Sequence, residues 1–139
     1  MKEVTRQMMD EYKIKDFDFM GYNIKEMKKI SFHHLIVAKR NCKNAGLGDG
    51  YYKWNGAILV QDTSHDYLHL IERIDPEIFY CVTSEMIDQN LKGKLDLENL
   101  RQIRNLLIYF EREHCGKSDK HGKQLIKTQY VQNRFSCLN

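Results

Sequence analysis

The sequence predicts an α+β domain in which two antiparallel strands and a helix form a unit covered by additional helices. Three observations lead there. The runs Ile30–Ala38 and Tyr51–Val60 are apolar and rich in β-branched or aromatic residues, as strands are. After Pro76 the apolar residues recur at helical spacing through two long stretches. Four of the six histidines fall in two pairs around those strands, His33-His34 on the first and His65 with His69 just beyond the second.

Taken in order, residues 1–18 are polar with a short helix, whose apolar face would be Met8, Met9 and Tyr12. Phe17–Tyr22 reads as an aromatic-rich extended segment, and Asn23 as the N-cap of a short helix over Ile24–Lys29. Ile30–Ala38 is the first strand. Asn41–Gly50 is a loop built on Asn44, Gly46, Gly48, Asp49 and Gly50. Tyr51–Val60 is the second strand, with a bend allowed at Asn55-Gly56. Thr63 or Ser64 is expected to cap the next helix, on which Leu68 and Ile71 face the core while His65 and His69 face the strands. Asp75-Pro76 ends that helix, and Pro76 suits the first turn of the next. Ile78, Phe79, Val82, Met86 and Ile87 give Pro76–Asn90 a core-facing stripe. Beyond Gly93, Asp96 is a credible N-cap for a last helix carrying Leu100, Ile103, Leu107 and Phe110 and ending near His114. The expected divisions are an N-terminal extension over 1–30, the strand–strand–helix unit over 31–73, a helical part of the same domain over 74–115, and a basic tail over 116–139.

A chain of 139 residues, 42% hydrophobic and 29% charged, has the size and composition of one globular domain. No apolar run approaches the roughly 18 residues that cross a bilayer, and the first ten residues lack the apolar core of a signal peptide, so a cytoplasmic location without membrane contact is expected. Cys42, Cys81, Cys115 and Cys137 are widely spaced and read as free thiols of a reducing compartment. A zinc cluster of His114, Cys115, His121 and Cys137 would follow no known spacing, and His114 and His121 are expected on the surface. The net charge of +3 is unevenly placed. Lys39, Arg40, Lys43 and Lys53 face a single Asp49 in the strand–loop–strand region, and Lys117, Lys120, Lys123, Lys127 and Arg134 face a single Asp119 in the tail, while the helical middle is acidic. Basic charge at the loop and tail is where a polyanion would be met. Trp54 is expected in the core.

The histidine pattern has a chemical logic. Adjacent histidines on a strand point to opposite faces, so one can bind a metal while the other acts as a base. Histidines at i and i+4 share one helix face and can grip a single ion. An Asn between the pairs can hold a loop or a ring through its two-sided amide. Together these describe a metal-dependent hydrolytic site.

The stretch from Phe32-His33-His34-Leu35-Ile36 through Trp54-Asn55-Gly56-Ala57-Ile58-Leu59-Val60 to Thr63-Ser64-His65-Asp66-Tyr67-Leu68-His69 resembles the HNH, or ββα-metal, nucleases. The resemblance covers about 38 of the 139 residues. It implies that His34 is the general base, that Asn55 orients the base and the loop as part of the catalytic set, and that His33, His65 and His69 are metal ligands. It departs from the family pattern in two places. The proline often found after the first pair is replaced by Ala38 or Lys39, and the Cys-x-x-Cys zinc knuckles are missing, which makes this the compact form without a structural zinc. The implied activity is phosphodiester hydrolysis in DNA, with Lys39, Arg40, Lys43, Lys117, Lys120 and Lys123 on the nucleic acid. The implied cofactor is a divalent ion among Zn, Ni, Mn and Mg. An all-histidine set suits the first three, since Mg prefers oxygen. Two other readings fit the same residues: a non-catalytic phage or mobile-element protein that binds a nucleoprotein, a defence enzyme or a nucleotide, and a structural zinc adaptor. The apolar residues Leu125, Tyr130, Val131 and Phe135 could bind a protein partner or a second copy of the chain.

Overall fold

The two apolar runs pair, but over a shorter length than their composition predicts. In the computed structural model, which describes residues 2–14, 16–24 and 29–114, strand β1 is Ile30–His34 and strand β2 is Gly56–Val60. They are antiparallel, with Ile30 opposite Val60, Phe32 opposite Ile58 and His34 opposite Gly56. The first strand stops short of Ala38 because the amides of Ile36 and Val37 leave the ladder and donate to the side-chain oxygen of Asn55, at 3.0 and 2.7 Å. Asn55 itself lies just ahead of β2, in a 3-10 turn over Lys53–Asn55, and not inside a strand. Between the strands, Lys39–Cys42 forms a single turn of helix, α2, where a loop was expected to begin. Gly50 then takes a left-handed φ of 76°, and a Cβ built there would lie 2.2 Å from Cys42 Sγ, so this close approach needs glycine.

The helix after β2 starts earlier than expected and without a side-chain cap. A π turn over Gln61–His65 leaves the strand directly and runs into α3, Asp66–Ile74. Val60 holds the N-cap position, so Thr63 and Ser64 lie within the turn and cap nothing. Helix α4, Pro76–Lys92, starts as its sequence predicts: Asp75 accepts from the Ile78 amide and Pro76 occupies the first turn. Gly93 closes it in a left-handed conformation. Helix α5, Leu97–His114, has Asp96 accepting from the Asn99 amide at 3.1 Å. Its residues Leu100, Ile103, Leu107 and Phe110 are all buried.

The N-terminal residues contribute side chains to the core. Helix α1, Glu3–Glu11, sends Met8 into the core, and Tyr12, Ile14, Phe19 and Met20 join it beside Ile58, Leu68, Met86 and Leu107. The aromatic segment forms an isolated bridge, Phe17 to Asn23, and a turn. Its Phe19 amide donates to the Ile58 carbonyl at 3.0 Å, and the buried Asp18 carboxylate accepts from the amides of Met20, Tyr22 and Val60. These bonds occupy backbone groups that β2 does not use with β1, which is why all five of its residues are buried. Truncating Ile58 to alanine in such a core typically costs about 2–5 kcal/mol.

Two side chains lie elsewhere than expected. Trp54 is 44% exposed, stacked on Tyr52 at 5.7 Å, because the 3-10 turn points it outward. His114 is not a free surface residue: it packs on Phe110 and pairs with Asp75 at 2.8 Å. The helix expected over Ile24–Lys29, the tail with Lys117, Lys120 and Lys123, and the cluster using Cys115, His121 and Cys137 fall largely or wholly outside the described residues. No helix among the described residues is long and apolar enough to cross a membrane.

Candidate metal centre

Strand alternation sorts the first histidine pair. His33 shares a face of β1 with Ser31 and turns toward the helix, whereas His34 shares the other face with Phe32 and meets the ring of Tyr51. The π turn and α3 bring His65 and His69 to the His33 side. Ligand atoms of His33, His65 and His69 all lie within 4.8 Å of one another. His33 Nδ1 and His65 Nε2 are 3.2 Å apart. That is close to the ~3.3 Å separating two nitrogens bound tetrahedrally to one ion at bonds of about 2.0 Å.

Hydrogen bonds assign the ring nitrogens. Ser31 Oγ donates its proton to the Leu59 carbonyl at 3.1 Å, so toward His65 Nδ1, 2.9 Å away, it accepts. His65 thus carries its proton on Nδ1 and keeps a lone pair on Nε2. His69 Nδ1 faces Glu72 Oε1 at 3.1 Å, which leaves its Nε2 for a ligand in the same way. Partners of this kind orient ligating imidazoles in metal sites and raise their basicity.

The electrostatics favour neutral rings. Burial drives the His33 imidazole down to about 3, with the neighbouring histidines pushing the same way. His65 falls to about 4, again first through burial and then through His69. Neutral nitrogens with converging lone pairs are what a divalent ion requires.

His34 lies beside this group without joining it. Its Nε2–H donates to the Asp49 carbonyl at 2.7 Å, which leaves Nδ1 as the basic nitrogen. Asn55 is fully buried and bonded on both sides of its amide: Oδ1 accepts from Ile36 and Val37, and Nδ2 donates to the carbonyls of Val37 and Gly50. It therefore positions the loop that carries Asp49.

His33, His34, His65 and His69 line a single cleft of about 770 Å³. Lys39 and Arg40 line it too, but Lys43, exposed at the end of α2, does not. Sequence reasoning missed Ser31, Asp49 and Glu72. Two of these left a trace: Ser31 precedes His33 by the strand period of two, and Glu72 follows His69 by one helical turn. Asp49 acts through its backbone, which leaves no mark on residue type.

No known family pattern matches the chain, and no solved structure matches it. A stretch of 111 residues is 26% identical to a proline–tRNA ligase of Ruegeria sp. (strain TM1040), covering 76% of this chain and 24% of that enzyme. The chain thus spans about a quarter of the length of the curated relative it matches.

Proposed function

We propose that this chain is a metal-dependent nuclease of the HNH type that hydrolyses phosphodiester bonds in DNA. The observation that carries the reading is the convergence of three imidazoles on one point, with a fourth imidazole, His34, in the same cleft but outside the ligand set. A structural metal site closes its coordination with protein groups, whereas three protein ligands, the number found among the described residues, leave a position open for reaction.

The donor set fits a divalent ion, which His33, His65 and His69 would hold through one ring nitrogen each. Such an ion would supply positive charge for the scissile phosphate, and nitrogen ligands suit zinc, nickel or manganese better than magnesium. His34 Nδ1 takes a proton from water, and the water oxygen bonds to phosphorus as the bond to the leaving sugar oxygen breaks. The Asp49 carbonyl holds His34 in the tautomer this requires. Lys39 and Arg40 bind neighbouring phosphates as counter-charges along the cleft.

Cleavage of a plasmid and of a single-stranded DNA oligonucleotide with manganese, nickel, zinc or magnesium, by the native chain and by His34→Ala, tests the proposal. Loss of the base should slow cleavage by roughly 10²–10⁴ while metal affinity persists. Unchanged turnover would remove His34 from the mechanism. Absence of cleavage with all four ions would reject the enzyme in favour of a binding protein.

A further inference from the structure

The cleft has a wall that the hydrolytic chemistry does not use. Ile36 and Tyr80 line it and are 54% and 66% exposed, both large apolar side chains standing free beside the histidines. The backbone at Ile36 is anchored, since its amide donates to the buried Asn55 side chain at 3.0 Å. Tyr80 projects from α4, and its ring meets the edge of half-buried Phe79 at 5.7 Å. Lys39 and Arg40 line the same cleft, so its occupant is an anion with an apolar face.

Resting on the nuclease reading, we infer that the substrate is single-stranded, with an unpaired nucleobase packed against Tyr80 and Ile36 while its backbone lies along Lys39 and Arg40 to the histidines. In a closed duplex the bases stack on one another and offer only their edges, which leaves an exposed aromatic face without a partner. An unpaired base offers its π-face, and aromatic side chains beside a basic groove are how proteins hold single strands. A volume of about 770 Å³ accommodates a nucleotide and its neighbour's phosphate.

Fluorescence anisotropy with a single-stranded oligonucleotide and its duplex, in manganese and in the His34→Ala background so that the strand stays intact, tests this. The parent should prefer the single strand. Adding Tyr80→Ala should weaken single-strand binding roughly tenfold or more, with little change on duplex, and Tyr80→Phe should restore it. A parent that prefers duplex, or a Tyr80→Ala loss that is absent or equal on both forms, overturns the inference. Tyr80 is exposed, so a thermal melt should show these variants folded; an unfolded Tyr80→Ala leaves the parent's strand preference and Ile36→Ala to decide. The two readings fail separately. Tyr80-dependent single-strand preference in a chain that never cleaves removes the nuclease and keeps the base site, whereas His34-dependent cleavage with indifferent Tyr80 does the reverse.

Discussion

Asn55 and Val37 pair through two hydrogen bonds of opposite sense: Oδ1 accepts from the Val37 amide at 2.7 Å, and Nδ2 donates to the Val37 carbonyl at 3.0 Å. Because Asn55 also serves Ile36 and Gly50, a single buried side chain ends β1 and anchors the loop that orients His34. Asn55→Ala strands one buried and three partly buried backbone groups at once, each costing up to about 1–3 kcal/mol. We expect a loss of about 3 kcal/mol or more, read as a lower urea midpoint.

The hydroxyl of Ser31 should matter to metal binding although it is no ligand. Ser31→Ala removes the acceptor of His65 Nδ1–H, and loss of such a partner typically weakens metal affinity about 10–100-fold. His65→Ala and His69→Ala should weaken it further, since each removes a donor. Calorimetric titration of zinc into the three variants ranks them, and equal affinities would mean that the cluster binds no ion.

With metal removed by a chelator, stability should fall steadily in acid. Unfolded imidazoles titrate near about 6.5. Folded His33 and His65 resist protonation until about 3 and about 4, because burial disfavours their charged forms. Below about pH 6.5 the unfolded chain therefore binds protons that the native chain refuses, and stability declines as pH falls toward 4. Above that pH both states hold neutral rings and these groups add no slope. Urea midpoints between pH 4 and 8 measure this, and His33→Gln should flatten the curve.

Replacing Lys117, Lys120 and Lys123 by alanine should weaken DNA binding without touching the chemistry. Each lysine–phosphate pairing that disappears should make the log–log salt dependence shallower by about 0.9 on duplex DNA. Cleavage at saturating DNA should stay at the native rate. A salt titration of the triple variant decides, and an unaltered slope would take these lysines off the nucleic acid.

The histidine cluster was legible because each pair obeys a local period, two along a strand and nearly four around a helix, and those periods survive tertiary packing. Residue type also marked Asp75, Pro76, Gly93 and Asp96 correctly, since caps and breakers act within a few residues of themselves. The C-terminal end of β1 and the start of the helix after β2 were not legible. The first depends on Asn55, eighteen residues beyond Val37. The second is set by a π turn that uses no capping side chain, so Thr63 and Ser64 signalled a start that the backbone had already made. Asp18 escaped notice for the same reason as Asn55's reach: its carboxylate serves the Val60 amide, 42 residues away. Trp54 misled because indole size suggests burial, while the turn over 53–55 turns this side chain outward and buries Asn55 instead.

The bonds of Asn90 bear on how the chain comes into being. Asn90 donates to the carbonyls of Gly56 and Lys53, at 2.6 and 2.9 Å, and its own carbonyl accepts from the Tyr12 hydroxyl at 2.8 Å, joining positions 78 residues apart. Contacts of such sequence separation close late, because the entropy of a long loop is lost before any bond repays it. During synthesis, at about 5–20 residues per second, the segment bearing the histidines leaves the ribosome seconds before α4 can brace it. On the proposed reading, an ion would meet the braced set of donors only after most of the chain exists, so loading would follow folding in time.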